Sequence, residues 1–410
     1  MSSIKTSQSR SKVSEFKLNT LLEITNAINN NLPEEQLFVL FQYILEHQLN
    51  IGRAVGYLLR EESWSSILQY GATEEEMLIN VEEDLAYIKD ITVLEMLGES
   101  SHATNFDVVI PVFHQSQIIA YILLGDLDEQ ELKASPIIKH LPFIQTLANI
   151  TAVAVENKRL MRESLAQERL KQELATASEM QSMLLPRTLP NDKDFQIAAY
   201  YRPHQEVGGD FYDVQLINED ELVICLADVS GKGISAAILM ANFQANLRAQ
   251  IAVESDLEII INNLNQSVWR NASGERFITA LLAKYNRKTG VLEYVNCAHP
   301  APIIMIEDEI SRLDVGCVGL GMFDELPFVK IGRTTLSKDT MLVSYTDGVN
   351  ELESMDGTPF EDEMVIDIIA AQQYNSMNDF NMLLMNALNQ HKGNLDYHDD
   401  IAIVSCKFFR

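Results

Sequence analysis

Over residues 15–29 apolar side chains recur at helical spacing, as Phe16, Leu18, Leu21, Leu22, Ile24 and Ile28, which predicts an amphipathic helix. A second helix is expected after Pro33, through Leu45. The period then changes. Residues 53–60, 65–70, 107–113 and 117–125 are short runs rich in β-branched and aromatic residues and read as strands, the last two parted by a turn at 114–116. A closing helix is expected from Ile137 into Glu156.

From 156 to about 185 there is no Pro or Gly and charged residues are dense, while Leu160, Leu165, Leu170, Leu174, Ala177, Met180 and Leu184 form an imperfect apolar stripe. This predicts a long connecting helix, stopped by Pro186 and Pro190. Its spacing is too irregular for a strict heptad, so coiled-coil pairing stays open. Beyond it, residues 195–202, 210–217 and 221–228 read as strands, and the polar turn Asn218-Glu219-Asp220 joins the latter two as a hairpin. Nearer the C-terminus a strand over 340–346 ends at Asp347-Gly348, and another over 401–408 begins just after Asp399-Asp400.

These patterns place acidic residues together. With Glu219 at the centre of the turn, Asp210 lies nine residues before it and Asp228 nine after it, so the two are expected to face each other across the hairpin, with Cβ atoms about 5 Å apart. Paired carboxylates repel unless a positive charge lies between them. Oxygen-only ligation suits Mg²⁺ or Mn²⁺ better than zinc. If the 340–346 and 401–408 strands run antiparallel, their acidic ends meet at one edge, giving enough oxygens for a two-metal site able to activate water for phosphoester hydrolysis.

Composition narrows the alternatives. A length of 410 residues predicts two domains and a connector, and 47% hydrophobic with 22% charged residues is an ordinary globular balance. The formal net charge of −28, with no basic cluster, argues against nucleic acid as a partner. The 14 residues at the N-terminus, rich in Ser, Lys and Gln, read as a flexible tail without a secretory signal. The most apolar stretch, 118–124, is far too short to cross a bilayer, so no membrane span and a cytoplasmic location are expected. Cys225, Cys297, Cys317 and Cys406 form no CxxC pair and read as buried free thiols.

The helix, helix, strands, helix order of the first half, with the hairpin PVFHQSQIIAYILLG, resembles a GAF-type sensor domain over 15–155. No Cys, His or Asp cluster there names a ligand, and a regulatory domain with an empty pocket stands beside true ligand sensing. The second half carries, in order, VGGDFYDV, LADVSGKGISAAILMANFQANLR, FITALLAKYNRKTGVLEYVNCAHPAPII, SYTDGVNE and HDDIAIV. These strings resemble the PPM metal-dependent Ser/Thr phosphatases, in the SpoIIE-like and RsbU-like bacterial branch, over 179–409.

The resemblance implies an α+β fold: a C-terminal α-β-β-α sandwich of two antiparallel sheets flanked by helices over 190–410, after a helical linker over 156–189. It implies two Mn²⁺ or Mg²⁺ ions held by Asp210, Asp228, the Val229 carbonyl, Asp347 and Asp399, with Asp228 bridging both. The implied reaction is hydrolysis of phosphoserine or phosphothreonine by metal-activated water, on a STAS-type anti-sigma-factor antagonist. Two departures stand out. Ala402 replaces a frequent Thr, and Ser230 and Lys232 occupy the loop where eukaryotic relatives carry a His, which leaves any general acid unassigned.

Other features have plainer readings. Gly231-Lys232-Gly233 is no Walker loop, since Leu226 and Gly233 occupy positions that need Gly and Ser or Thr. His299 is expected to stabilise a turn rather than bind metal, and His398 has no assigned role. Met180 and Met183 are expected to pack, and the acids at 74–76 and 82–84 to form solvated faces. The apolar stripe of the linker suggests a homodimer formed through that helix. A non-catalytic phosphoprotein-binding scaffold, or a binuclear phosphoesterase acting on a small molecule, are the competing functions. Retention of all four Asp favours catalysis.

Overall fold

A computed structural model describes residues 2–73, 79–94, 106–125 and 136–409. The acids expected at 74–76 lie outside them. The chain divides into two compact units, Met1–Glu168 and Arg169–Arg410.

The first unit contains helices α1 (Ser2–Asn29) and α2 (Glu34–Tyr43), and strands β1 (Arg53–Arg60), β2 (Ser63–Tyr70), β3 (Thr92–Val93), β4 (Val108–His114) and β5 (Gln117–Gly125). The strands form one antiparallel sheet in the order β2-β1-β5-β4-β3. Residues 2–14, expected as a tail, are the first turns of α1; no Pro or Gly interrupts this stretch, so nothing local stops the helix from extending. Beyond α2 the chain continues in one π-helical turn, Ile44–Gln48. The closing helix and the connector form a single helix, α3 (Pro136–Ser182), with Pro142 inside its first turns.

The second unit consists of strands β6 (Phe195–Arg202), β7 (Phe211–Leu216) and β8 (Glu221–Val229), helices α4 (Ile234–Ile251) and α5 (Leu257–Ala272), strands β9 (Ile278–Asn286), β10 (Val291–Cys297), β11 (Ile303–Ile306), β12 (Glu309–Arg312), β13 (Gly316–Cys317), β14 (Gly332–Thr335) and β15 (Thr340–Tyr345), helices α6 (Asp362–Ala371) and α7 (Met377–Lys392), and strand β16 (Ile401–Phe408). One sheet runs β13-β10-β9-β8-β7, with β14 also on β10, and the other β12-β11-β15-β16-β6. All pairings are antiparallel except the short β10 to β13 contact.

Alternation along β16 explains the layering. Ala402, Val404, Cys406 and Phe408 join the core that also contains β8, β9, α4 and α5, whereas Ile401 and Ile403 join the core beneath α6 and α7. Strand β8, covered on both faces, is correspondingly an almost unbroken apolar run. The result is the four-layered α-β-β-α sandwich expected from the sequence. The four cysteines are buried and free as expected, although the fold brings the Cys297 and Cys317 sulfurs to 3.4 Å. Met180 and Met183 depart from expectation: both are exposed, because the buried face of this last helical turn is taken by Gln181 instead.

Candidate active site

The β7–β8 hairpin fixes the first acidic pair. Asn218 Oδ1 accepts from the Asp220 and Glu221 amides at 2.9 and 3.0 Å, closing the turn locally. Phe211 then pairs with Ala227, and the same register sets Asp210 opposite Asp228. The second pair comes from β15 and β16, which run antiparallel with Tyr345 opposite Ile403, so that Asp347 and the 399–400 dipeptide lie at the same sheet edge. Thr346 locks the two strands and the first Asp together. Its hydroxyl donates to Asp210 Oδ2 at 2.7 Å and accepts from the Ala402 amide at 2.9 Å.

The electrostatics record how closely these carboxylates crowd. Burial, then the charges of Asp228 and Asp400, push the Asp210 carboxyl well above its ordinary range, against the lowering bond from Thr346. Burial and the charge of Asp347 raise Asp228 to about 7. Burial, with Glu351 and Asp399 nearby, raises Asp347 to about 6. Carboxyl groups held this way favour either a proton or a cation between them. The Val229 carbonyl lies on the same rim, 3.0 Å from where a Cβ on Gly209 would stand. The crowding is nevertheless not a finished cage: among the described residues no three acidic, imidazole or thiol side chains stand together at metal-holding spacing.

The two members of the Asp399-Asp400 pair do different things. Asp399, half-exposed, accepts from Lys232 Nζ at 2.8 Å, and Lys232 also donates to the His398 carbonyl at 2.6 Å. Lys232 is thereby held as a cation on the rim, its pKa raised first by Asp399. Asp400 is buried and faces the backbone of the Gly-Gly-Asp loop, accepting from His204 N at 2.7 Å and Gly209 N at 2.6 Å. Tyr201, on β6, completes this corner. Its hydroxyl has no hydrogen-bond partner among the described residues, and burial with the Asp400 and Asp210 charges drives its pKa upward.

The structure brings together Asp210, Asp228, Asp347 and Asp399, named from the sequence, and adds Thr346, Asp400, Tyr201 and the hold of Lys232 on Asp399, which were not. Only Asp400 carried a signal, as the second acid of a pair. His299 lies in a turn whose hydrogen bonds come from Asn296 and not from its own ring. Asn296 bridges its backbone amide and carbonyl at 2.8 and 3.0 Å, and its buried ring sits 3.0 Å from Thr279 Oγ1.

Residues 218–409 match the family model described as Stage II sporulation protein E (SpoIIE). This part of the chain is similar to the SpoIIE family. Phosphoserine phosphatase RsbU of Bacillus subtilis (strain 168) is 26% identical over 193 residues, 47% of this chain and 57% of RsbU. Phosphoserine phosphatase RsbP of the same organism is 28% identical over 185 residues, 44% of this chain and 45% of RsbP. Protein IcfG of Synechocystis sp. (strain ATCC 27184 / PCC 6803 / Kazusa) is 24% identical over 261 residues, 57% of this chain and 41% of IcfG. The chain thus spans about half the length of the curated relatives it matches. Among solved structures, the SiaA-PP2C domain of Pseudomonas aeruginosa superposes with a TM-score of 0.53 at 22% identity, covering 59% of this chain and 98% of that domain, which shows a PP2C-like fold for this part of the chain. No helix among the described residues is long and apolar enough to cross a membrane.

Proposed function

We propose that the second unit is a metal-dependent protein serine/threonine phosphatase acting on a phosphorylated signalling protein of the STAS anti-sigma-factor-antagonist type. The observation that carries this reading is the set of carboxylates gathered at one sheet edge, three of them pushed upward by burial and by one another. Asp210, Asp228, Asp347, Asp399 and the Val229 carbonyl offer only hard oxygens, which fit Mg²⁺ or Mn²⁺. Two such ions, when bound, supply Lewis acidity and lower the pKa of a water that attacks phosphorus.

The chain's own residues do the rest. Thr346 fixes one Asp210 oxygen, and Asp400 pins the loop that carries Asp210. Lys232 holds positive charge on the rim, where a phosphoryl dianion arrives. RsbU and RsbP bear the name phosphoserine phosphatase, which supports the substrate class. The first unit, with its five-stranded sheet and flanking helices, is read as a GAF-like sensor domain that regulates turnover. Exposed Leu160, Met161, Leu165 and Leu170 along α3 support a homodimer formed through that helix.

The test is release of phosphate from phosphorylated STAS-type proteins of the same cell, with and without Mn²⁺. Activity is expected to need the ion, to vanish in chelator, and to be lost in a folded Asp228→Asn protein. Full turnover after exhaustive chelation, or an active Asp228→Asn variant, would rule the mechanism out.

A further inference from the structure

The last turn of α3 reaches into the candidate active site through one side chain. Gln181 is buried, and its amide meets the peptide of Gly208 in both directions: Nε2 donates to the Gly208 carbonyl at 2.6 Å and Oε1 accepts from the Gly208 amide at 3.1 Å. Gly208 lies two residues before Asp210 and immediately before Gly209, whose own amide is held by Asp400. A Cβ at position 208 would stand 2.3 Å from the Tyr201 hydroxyl and 2.4 Å from Asp400 Oδ2, so this backbone is pressed directly against the acidic corner. Loop and helix end are therefore one hydrogen-bonded body.

We propose that Gln181 is a positioning residue that couples the C-terminal turn of α3 to the metal-ligating geometry of Asp210. This rests on the metal-dependent reading of the site. Of the ordinary side chains only glutamine offers a donor and an acceptor in one plane at this reach, so a peptide can be met on both its polar atoms. With the latch made, Gly208 and Gly209 are each clamped, one by Gln181 and the other by Asp400, and Asp210 is left little freedom. If the last turn of α3 shifts, both bonds are lost together, and the segment keeps only the Asp400 contacts to its backbone and the Thr346 bond to one Asp210 oxygen. Asp210 then samples positions outside ligand geometry. The site thus reads the position of a helix end, as the residues that orient metal ligands commonly govern affinity.

A neighbouring contact supplies the control. Gln244 Nε2, on α4, donates to the Leu184 carbonyl, just after the same helix end, and makes no hydrogen bond to the Gly208 loop among the described residues. The experiment compares full-length Gln181→Ala, Gln181→Glu and Gln244→Ala with the unaltered chain, measuring Mn²⁺ binding by calorimetry and amide hydrogen exchange over 203–211 in chelator. Gln181→Glu keeps an acceptor for the Gly208 amide but loses the donor, so it is expected to fall between the others. Gln181→Ala is expected to bind Mn²⁺ about tenfold more weakly and to exchange faster over 203–211. Gln244→Ala is expected to match the unaltered chain in both. Unchanged Mn²⁺ affinity in folded Gln181→Ala, or equal weakening in Gln244→Ala, would overturn the proposal. If the unaltered chain itself binds no Mn²⁺, the metal reading fails separately. Exchange then decides: protection of 208–210 that survives Gln181→Ala overturns the latch, and its loss retains it.

Discussion

Replacing each member of the Asp399-Asp400 pair by Ala should give opposite results from adjacent residues of the same type. Asp400→Ala strips the acceptor from Gly209 N, which is buried, and from His204 N, which lies in an exposed residue. An orphaned buried amide costs about 1–3 kcal/mol, and a hydrogen bond exchanged for water about 0.5–1.5 kcal/mol, so the loss is about 2–4 kcal/mol. Removing the Asp400 charge also relieves Asp210, whose carboxyl it helps to raise. The net destabilisation in metal-free protein is therefore smaller than the lost bonds alone would give. Asp399→Ala breaks a rim ion pair with Lys232, the two side chains being 29% and 48% exposed, and such screened pairs are worth at most about 1 kcal/mol; it also takes the acceptor from the Asp400 amide, which donates to Asp399 Oδ1 at 2.8 Å, a half-buried bond worth about 0.5–1.5 kcal/mol when exchanged for water. Trp64 and Trp269 are the two tryptophans of the chain, so in a Trp64→Phe background Trp269, on α5, reports unfolding of the second unit alone. Urea titrations in chelator should rank Asp400→Ala below Asp399→Ala, while Mn²⁺ calorimetry should find Asp399→Ala impaired although folded. Asp399→Ala proving as destabilising as Asp400→Ala would refute the division of labour drawn from the geometry.

Three further outcomes are expected. Burial lowers His299 to about 3, whereas the unfolded chain titrates near 6.5; its contribution is complete above 6.5 and lost as pH falls toward 3. Between pH 6.5 and 5 the unaltered chain should therefore lose about 2 kcal/mol more than His299→Asn, and parallel urea midpoints would contradict it. Asp228 and Asp347, raised to about 7 and 6, act with the opposite sign: metal-free stability falls as pH climbs from about 4 to 7, so Mg²⁺ should raise the melting temperature more at pH 8 than at pH 5.5, and an equal rise at both would count against carboxylate ligation. Gly348→Ala would set a Cβ 2.0 Å from the Asp400 carbonyl oxygen, so phosphatase activity and the Trp269 unfolding midpoint should fall together, and a fully active variant would show that this edge can part freely.

What the sequence determined by itself was whatever has a local period. Alternation and turn chemistry located β1, β5, β6 and the β7–β8 hairpin to within a residue or so, and counting outward from Glu219 put Asp210 opposite Asp228, because register in a hairpin is set by its turn. The acidic ends of β15 and β16 were legible for the same reason: a strand that stops at an Asp and another that starts after one must meet if they pair antiparallel. The absence of Pro and Gly made α3 visible, and with it the unbroken run from the closing helix of the first half into the connector.

Tertiary structure alone decided the roles that depend on contacts between distant segments. Asp399 and Asp400 are indistinguishable in sequence because they sit in a loop with no period. Which one is buried follows from the approach of the Gly208-Gly209 backbone, 191 residues away in the chain. Gln181 faces Gly208 while Met180 and Met183 stand in solvent, an inversion of the apolar-inward rule. It is possible because a buried peptide must find partners for both its polar atoms and an amide can supply them, whereas a thioether cannot.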